Sequence, residues 1–266
     1  MTRVIKVGGR PQSDPALITA LAAAHRATFP APNAKDTGPV NGVVVVHGGG
    51  DEVSTLQRRY GIKAEFKGGR RVTSAQDIEI IRMALSGSAN KRLVSALCSQ
   101  QVPALGLSGE DAGILVAEPL DIEQFGFVGR PVYVYTAMLN GFLSLCIMPV
   151  ISPVSRCADS TLGEALNVNG DDAASAIAVA LKATDLLFVS DVEGVLKDGA
   201  PISMLSPEDA QQLIDDGTAQ GGMSAKLQAA LRALEGGVER VRISDIAAIE
   251  QLDRGTVLTR VGSVCA

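Results

Sequence analysis

Short apolar runs alternate with amphipathic stretches along most of the chain. RVIKV (3–7) and VVVV (43–46) are rich in β-branched side chains, which are stiff at χ1 and favour a buried pleated surface. Each run ends in glycines, Gly8-Gly9 after the first and Gly48-Gly49-Gly50 close behind the second. Between them, ALITALAAA and its flanks repeat at helical spacing and predict an amphipathic helix from about Ser13 to Thr28. After the second glycine run, Val53, Leu56 and Tyr60 recur at helical intervals. The pattern therefore predicts strand, glycine turn and helix, twice over.

The remainder repeats the theme. FKGGRRVTS (66–74) predicts a hairpin or loop, residues 75–100 a helix with a glycine break, and VPALGLSG (102–109) a strand and turn. YVYTAMLNGFLSL (133–145) predicts a helix and CIMPVISPV (146–154) a strand, with Pro149 and Pro153 expected to keep that strand near an edge or end of the sheet. From residue 166 the alternation restarts, with helices over 167–183, 207–217 and 221–237 and strands at 185–195, 238–244 and 255–260. FPAPNAKDTGPVNG (29–42) predicts a loop. Such alternation predicts an α/β protein with a mostly parallel central sheet and helices on both faces, binding its ligand at the carboxyl ends of the strands.

Composition narrows the function. At 3% aromatic residues and no Trp, the core of this 266-residue chain must be built from Ala, Val, Leu and Ile. A net charge of −5 with no basic run argues against nucleic acid as a partner. Cys98, Cys146, Cys157 and Cys265 lack paired spacing and there are only two histidines, so no zinc set is expected and the cysteines read as reduced thiols. ALITALAAA resembles a leader peptide, but Asp14 and the strand before it favour a helix of the fold. No apolar run reaches the roughly 18 to 20 residues of a membrane span, and a cytoplasmic protein is expected.

Glycine turns after strands point free N–H groups and a helix dipole at one spot, which suits a phosphate or carboxylate; close strand-helix packing would ask for the same glycines. Neither the P-loop nor the dinucleotide fingerprint occurs. Instead the chain carries IKVGG with Lys6, VVHGGG, GRRVT, GLSGEDAG, NVNGDDAA, SDVEGV and GGMSAK with Lys226. In that order and spacing, from residue 3 to about 259, these resemble the amino acid kinase family, and within it the kinases acting on N-acetyl-L-glutamate. KGGRRVTSAQDIEIIRMALSGSANKRLV is the most specific stretch.

The resemblance implies a three-layer sandwich in two lobes, residues 1–165 binding an acyl amino acid and forming a homodimer, residues 166–266 binding nucleotide. It implies ATP with Mg²⁺ and no dedicated protein metal site. Lys6 and Lys226 would neutralise the transferring phosphoryl group, and Gly8, Gly9, Gly48 and Gly49 would cradle it with N–H groups. Gly8 and Gly9 fall on the nucleotide side, Gly48 and Gly49 on the acceptor side. Asp171 would hold the two lysines; at roughly 4 Å such a pair is worth about 4 kcal/mol at an effective dielectric near 20. Arg71 would fork onto the acceptor's backbone carboxylate, with Arg70 left solvated. Asn167 and Asn169 are neutral, which suits an acylated rather than a free amino nitrogen, although asparagines also cap helices. Asp191, Val192, Glu193, Gly194 and Val195 would meet the nucleotide.

The chemistry is self-consistent: an acceptor carboxylate is already ionised at pH 7 and needs alignment and charge relief rather than a general base. The implied activity is ATP-dependent phosphorylation of the side-chain carboxylate of N-acetyl-L-glutamate in arginine biosynthesis. Kinases for an N-blocked 2-aminoadipate, a free amino acid or a nucleoside monophosphate are alternatives, as is a catalytically silent nucleotide-binding regulator. Two departures stand out. DEVS follows HGGG where the family has residues such as Pro-Gln, leaving Asp51 near the cradle, and ISDIAAIEQLDRGT replaces a histidine-containing segment near the C-terminus. With only two residues ahead of the first strand and the segment from Ser244 to Arg254 altered, arginine-insensitive activity is expected.

Overall fold

The computed structural model describes residues 1–28, 41–67, 69–159, 161–162, 164–197 and 199–259. Residues 29–40, most of the loop expected over 29–42, and Cys265 lie outside them. In chain order the elements are β1 (Thr2–Val7), α1 (Pro15–Thr28), β2 (Gly42–His47), α2 (Gly50–Arg59), the hairpin strands β3 (Phe66–Lys67) and β4 (Arg70–Arg71), and α3 (Ala75–Ile81). A π-helical segment, Arg82–Ala89, runs into α4 (Asn90–Ser99), followed by β5 (Ala104–Gly109), β6 (Leu115–Pro119), α5 (Ile122–Phe125), β7 (Val128–Val134), α6 (Thr136–Ser144) and β8 (Met148–Cys157). Next come β9 (Leu166–Val168), α7 (Gly170–Ala180), β10 (Asp185–Val189), β11 (Leu196–Lys197), β12 (Ala200–Pro201), β13 (Met204–Leu205), α8 (Pro207–Asp215), α9 (Gly221–Glu235), β14 (Arg240–Ser244) and β15 (Thr256–Thr259).

One eleven-stranded sheet runs β13-β15-β14-β10-β1-β2-β8-β6-β7-β9, with β5 also paired to β8. The central pairs β14–β10, β10–β1, β1–β2 and β2–β8 are parallel. Strand alternation divides the core. Val4, Val44 and Val46 face α7 and α9, joining Ala174, Ile177 and Leu227, while Ile5, Val7, Val43 and Val45 face α1 and α4, joining Leu17, Leu21 and Leu97. The sequence of small aliphatics thus builds the three layers that its pattern predicts.

Three local expectations change. The strand with Pro149 and Pro153 is not marginal: β8 is an interior strand, nearly all of it buried, paired with β2, β5, β6 and β9. It tolerates its prolines because β2 pairs only with Val150 and Ile151 between them, and β5 shifts register from Ser108↔Ser152 to Gly109↔Ser155, skipping Pro153. The predicted helix over 133–145 begins only at Thr136; Tyr133 and Val134 end β7, which forms an antiparallel hairpin with β6 that the pattern did not announce. Helix α1 starts at Pro15 rather than Ser13, with the Asp14 carboxylate accepting the Ala16 N–H at 2.8 Å.

Candidate active site

Strands β1 and β2 run side by side with Val7 opposite His47, so their glycine turns emerge together, Gly48 donating its N–H to Val7 O at 2.8 Å. Lys6 shares the face of Val4, the one covered by α7. Its side chain lies flat across the strand ends because the neighbouring positions lack side chains. A Cβ on Gly8 would overlap the Lys6 ammonium, and one on Gly170 would come within 3.2 Å of its Cε. Gly49 has φ 148°, reserved for glycine, and a Cβ there would press to 2.7 Å from Leu85 of the π-helical segment.

Helix α7 supplies the counter-charge. Asn169 caps it, its Oδ1 accepting the Asp171 N–H at 2.8 Å, which fixes Asp171 in the first turn. Asp171 Oδ1 lies 2.7 Å from Lys6 Nζ and Oδ2 lies 3.9 Å from Lys226 Nζ at the start of α9. Burial pushes the Asp171 carboxyl upward, but Lys6 and then Lys226 outweigh it and hold the group below the usual carboxylate range. Burial, joined by the Lys6 charge, lowers the Lys226 ammonium against the opposing pull of Asp171. Two cations around one carboxylate leave a surplus positive charge at a poorly solvated place, which an anionic ligand would satisfy.

Beside this cluster lies a cavity of about 250 Å³ lined by Lys6, Gly8, Gly9, Gly48, Gly49, Arg70, Arg71, Asn167, Asn169 and Asp171, with Val53, Leu85, Val128 and Pro153 among its apolar walls. It falls below the roughly 300–1,000 Å³ typical of drug-sized ligands, a size for an amino-acid derivative. Arg71 reaches in from the β3–β4 hairpin, stacked 4.7 Å over Phe66. Its guanidinium donates to Gln57, to Ser54 Oγ at 2.9 Å and to Gly50 O at 3.0 Å. Asn167 donates to Thr73 Oγ1 at 3.0 Å.

The structure thus gathers nine of the sequence-derived residues around one cavity, and Lys226 reaches the same carboxylate from α9. The run from Asp191 to Val195 does not line that cavity. It follows β10 and is tied to the C-terminal strands: Val195 N–H donates to Thr256 Oγ1 at 2.7 Å, Ser244 Oγ to Glu193 O at 3.0 Å, and Arg254 pairs with Glu193 at 3.0 Å. Asp191 acts electrostatically on Lys226. The replaced segment near the C-terminus therefore braces this loop. Asp51, whose role the sequence left open, is exposed on α2 and does not line this cavity.

Two features escaped the sequence. Arg70 is not solvated: it is half-buried, lines the cavity and pairs with Asp172 at 2.9 Å. Only the three-dimensional approach of α7 to the hairpin makes that partner available. His47 is fully buried beneath the glycine turn. Gly48 O can only accept and Asn90 Nδ2 only donate, so the 2.9 Å and 3.1 Å contacts fix the proton on Nδ1. Burial lowers its pKa to about 4, the Lys6 and Arg92 charges adding to burial and Gly48 O and Glu52 opposing it.

An ionised carboxylate pinned between lysines is a poor proton acceptor, and a buried neutral histidine points away from the cavity floor into its own hydrogen bonds. The arrangement serves charge neutralisation and alignment, which defines an α/β phosphotransferase. Comparison with known proteins agrees, and the chain belongs to the amino acid kinase family, whose model matches residues 1–245. It is 42% identical over 258 residues, 96% of either chain, to the acetylglutamate kinase of Chloroflexus aurantiacus. Among solved structures it is similar to smu.665 from Streptococcus mutans, with a TM-score of 0.81 at 26% identity over 97% of this chain and 98% of that one. It is also similar to the N-acetylglutamate synthase of Neisseria gonorrhoeae complexed with coenzyme A and N-acetyl-glutamate, with a TM-score of 0.77 at 25% identity over 97% of this chain and 59% of that one.

Proposed function

We propose that the protein phosphorylates the side-chain carboxylate of N-acetyl-L-glutamate at the expense of ATP, the acyl phosphate serving arginine biosynthesis. The observation that carries the reading is Asp171 between Lys6 and Lys226, beside a cavity that offers Arg71 for a carboxylate and neutral Asn167 for an acylated nitrogen. A carboxylate oxygen of the acceptor attacks the γ-phosphorus, the bond to the β-phosphate oxygen breaks, and ADP leaves with the electron pair. No proton is transferred. Lys6 and Lys226 offset the charge that accumulates on the phosphoryl oxygens, Gly8, Gly9 and Gly49 donate N–H groups to them while the expected Gly48 N–H is already taken by Val7 O, and Asp171 keeps both ammonium groups aimed.

Asp191 to Val195 meet the nucleotide on the far side of Lys226, so residues 1–165 hold most of the acceptor, completed by Asn167 and Asn169, and the part beyond residue 165 holds most of the nucleotide, completed by Gly8 and Gly9. Mg²⁺ enters with the nucleotide phosphates, as is usual for an ion that retains several waters; among the described residues no three His, Cys, Asp or Glu side chains gather to hold one. The acting form is a cytoplasmic homodimer joined through the N-terminal part, insensitive to arginine. No helix among the described residues is long and apolar enough to cross a membrane.

The test is a side-by-side kinase assay with N-acetylglutamate, N-acetyl-2-aminoadipate and free glutamate. N-acetylglutamate should give the highest kcat/KM. One extra methylene is expected to cost about 10- to 200-fold. Free glutamate should be poorer still, because its ammonium meets asparagines rather than a carboxylate. Preference for either competitor overturns the substrate assignment, and the absence of ADP formation with all three overturns the catalytic one.

A further inference from the structure

The β3–β4 hairpin is a thin element to carry acceptor recognition. Its strands are two residues each, and an isolated two-stranded hairpin is marginal in water. Its base is held by Thr73, whose N–H donates to Phe125 O at 2.9 Å and whose carbonyl accepts the Phe127 N–H at 2.7 Å. Its tip depends on side chains. Successive residues of β4 reach opposite walls of the cavity: Arg71 is tied to α2 through Gln57, Ser54 and Gly50, and Arg70 is tied to α7 through Asp172. Asp172 is 8% exposed and is also bound by Arg232 of α9.

The chain therefore places three pairs in step. Arg70 adjoins Arg71, Asp172 adjoins Asp171, and Arg232 rides the helix that carries Lys226. We propose that Arg70 is a positioning residue for the acceptor: its bond to Asp172 bolts the hairpin across the cavity and sets where Arg71 stands relative to the two lysines. Among the described residues, the Arg70 Nη1 atom, buried beside the cavity, has no hydrogen-bond partner. A group so placed marks a site that a ligand oxygen or water completes, so the bolt also borders the bound acceptor. This proposal rests on the acceptor reading above, and its test has a part that does not.

Arg70→Met keeps the aliphatic stem and removes the charge. Loss of one charge-assisted bond should raise the KM for N-acetylglutamate about tenfold, while the KM for ATP and the thermal midpoint stay nearly constant. Arg70→Lys, which can still meet Asp172, should recover part of the loss. Arg70→Met combined with Asp172→Asn should raise the KM for N-acetylglutamate little further than Arg70→Met alone, since both remove the bond to the hairpin and the Asp172–Arg232 pair that is also lost joins α7 to α9. Independently of any substrate, amide hydrogen exchange at residues 66–71 should quicken in Arg70→Met and not at β1 or β2. Unchanged exchange in the hairpin overturns the proposal, as does a KM for ATP that rises in parallel with that for the acceptor. An inactive wild type with a loosened hairpin in Arg70→Met would sink the substrate reading and leave the bolt standing.

Discussion

Two buried carboxylates in this protein are each surrounded by cations, and they do different work. Asp185, fully buried at the start of β10, receives Arg242 Nε and Nη2 at 2.8 Å each, Arg240 Nε at 3.0 Å and Arg3 Nε at 3.2 Å. Further guanidinium donors are spent on backbone carbonyls: Arg242 Nη1 reaches Ala248 O at 2.8 Å and Gln251 O at 3.2 Å, and Arg3 Nη2 reaches Ile249 O at 2.9 Å. Asp171 has lysines instead. An ammonium is a point charge with three rotatable donors. Among the described residues, apart from the bonds to Asp171, these two ammonium groups make one long contact, from Lys226 to Gly222 O at 3.4 Å. The arginine cluster is closed and can only hold elements together. The lysine cluster keeps donors and charge in reserve, as the proposed phosphoryl transfer requires.

The sharpest way to break this comparison is to remove one charged member from each cluster in turn. Asp185→Asn strips the counter-charge from three arginines and should cost about 3–5 kcal/mol, the price of uncompensated buried charge. Urea unfolding would read it, and an unchanged midpoint would mean that the backbone carbonyls alone suffice. The matching change in the open cluster acts on rate. Lys6→Ala should lower kcat by about 10² to 10³, as for removal of one transition-state donor, with a far smaller loss of stability than Asp185→Asn. Wild-type kcat would remove Lys6 from the transfer step; a collapse of folding would make the lysine cluster structural after all.

The smallest expected effect concerns pH. His47 has a folded pKa of about 4 against an ordinary 6.5, so the unfolded chain takes up the proton first as pH falls. Its contribution to stability is therefore whole above pH 6.5, is lost as pH falls from 6.5 toward 4, and changes no further below that. Between pH 7.5 and 5 the loss is about 2 kcal/mol. His25 is also lowered by burial, with Arg26 adding to it, and has the same sign. Urea titrations of wild type and His47→Asn at the two pH values separate them: the variant should be flatter, and an equal slope would assign the effect to His25. Neither buried carboxylate contributes in that window, because Asp171 and Asp185 are both held below the ordinary 3.8.

The legibility of the site followed from how local its demands are. Gly9, with φ 62°, and Gly49, with φ 148°, require glycine whatever surrounds them, and the cap at Asn169 announces α7 from a single residue. Lys6, Asp171 and Lys226 were singled out by the resemblance of their motifs to those of the family, and Asp171 also by its place in the first turn of α7. Arg70 was not, because a two-residue strand has no alternation to read and its partner lies 102 residues away. Nor was β8, whose prolines look like edge signals until the register of β2 and β5 shows which residues those strands use.

By itself the sequence determined the alternation of strands and helices, the small-aliphatic core and the turns that only glycine fits, since these depend on side-chain shape, periodicity and glycine's freedom. The tertiary structure decided which charges meet. It assigned three arginines to Asp185 and gave backbone carbonyls to two of them, assigned two lysines to Asp171, and Arg70 to Asp172. The physical reason is that ionic function depends on distance and on how many donors remain unsatisfied, and both are set only when elements remote in the chain pack together.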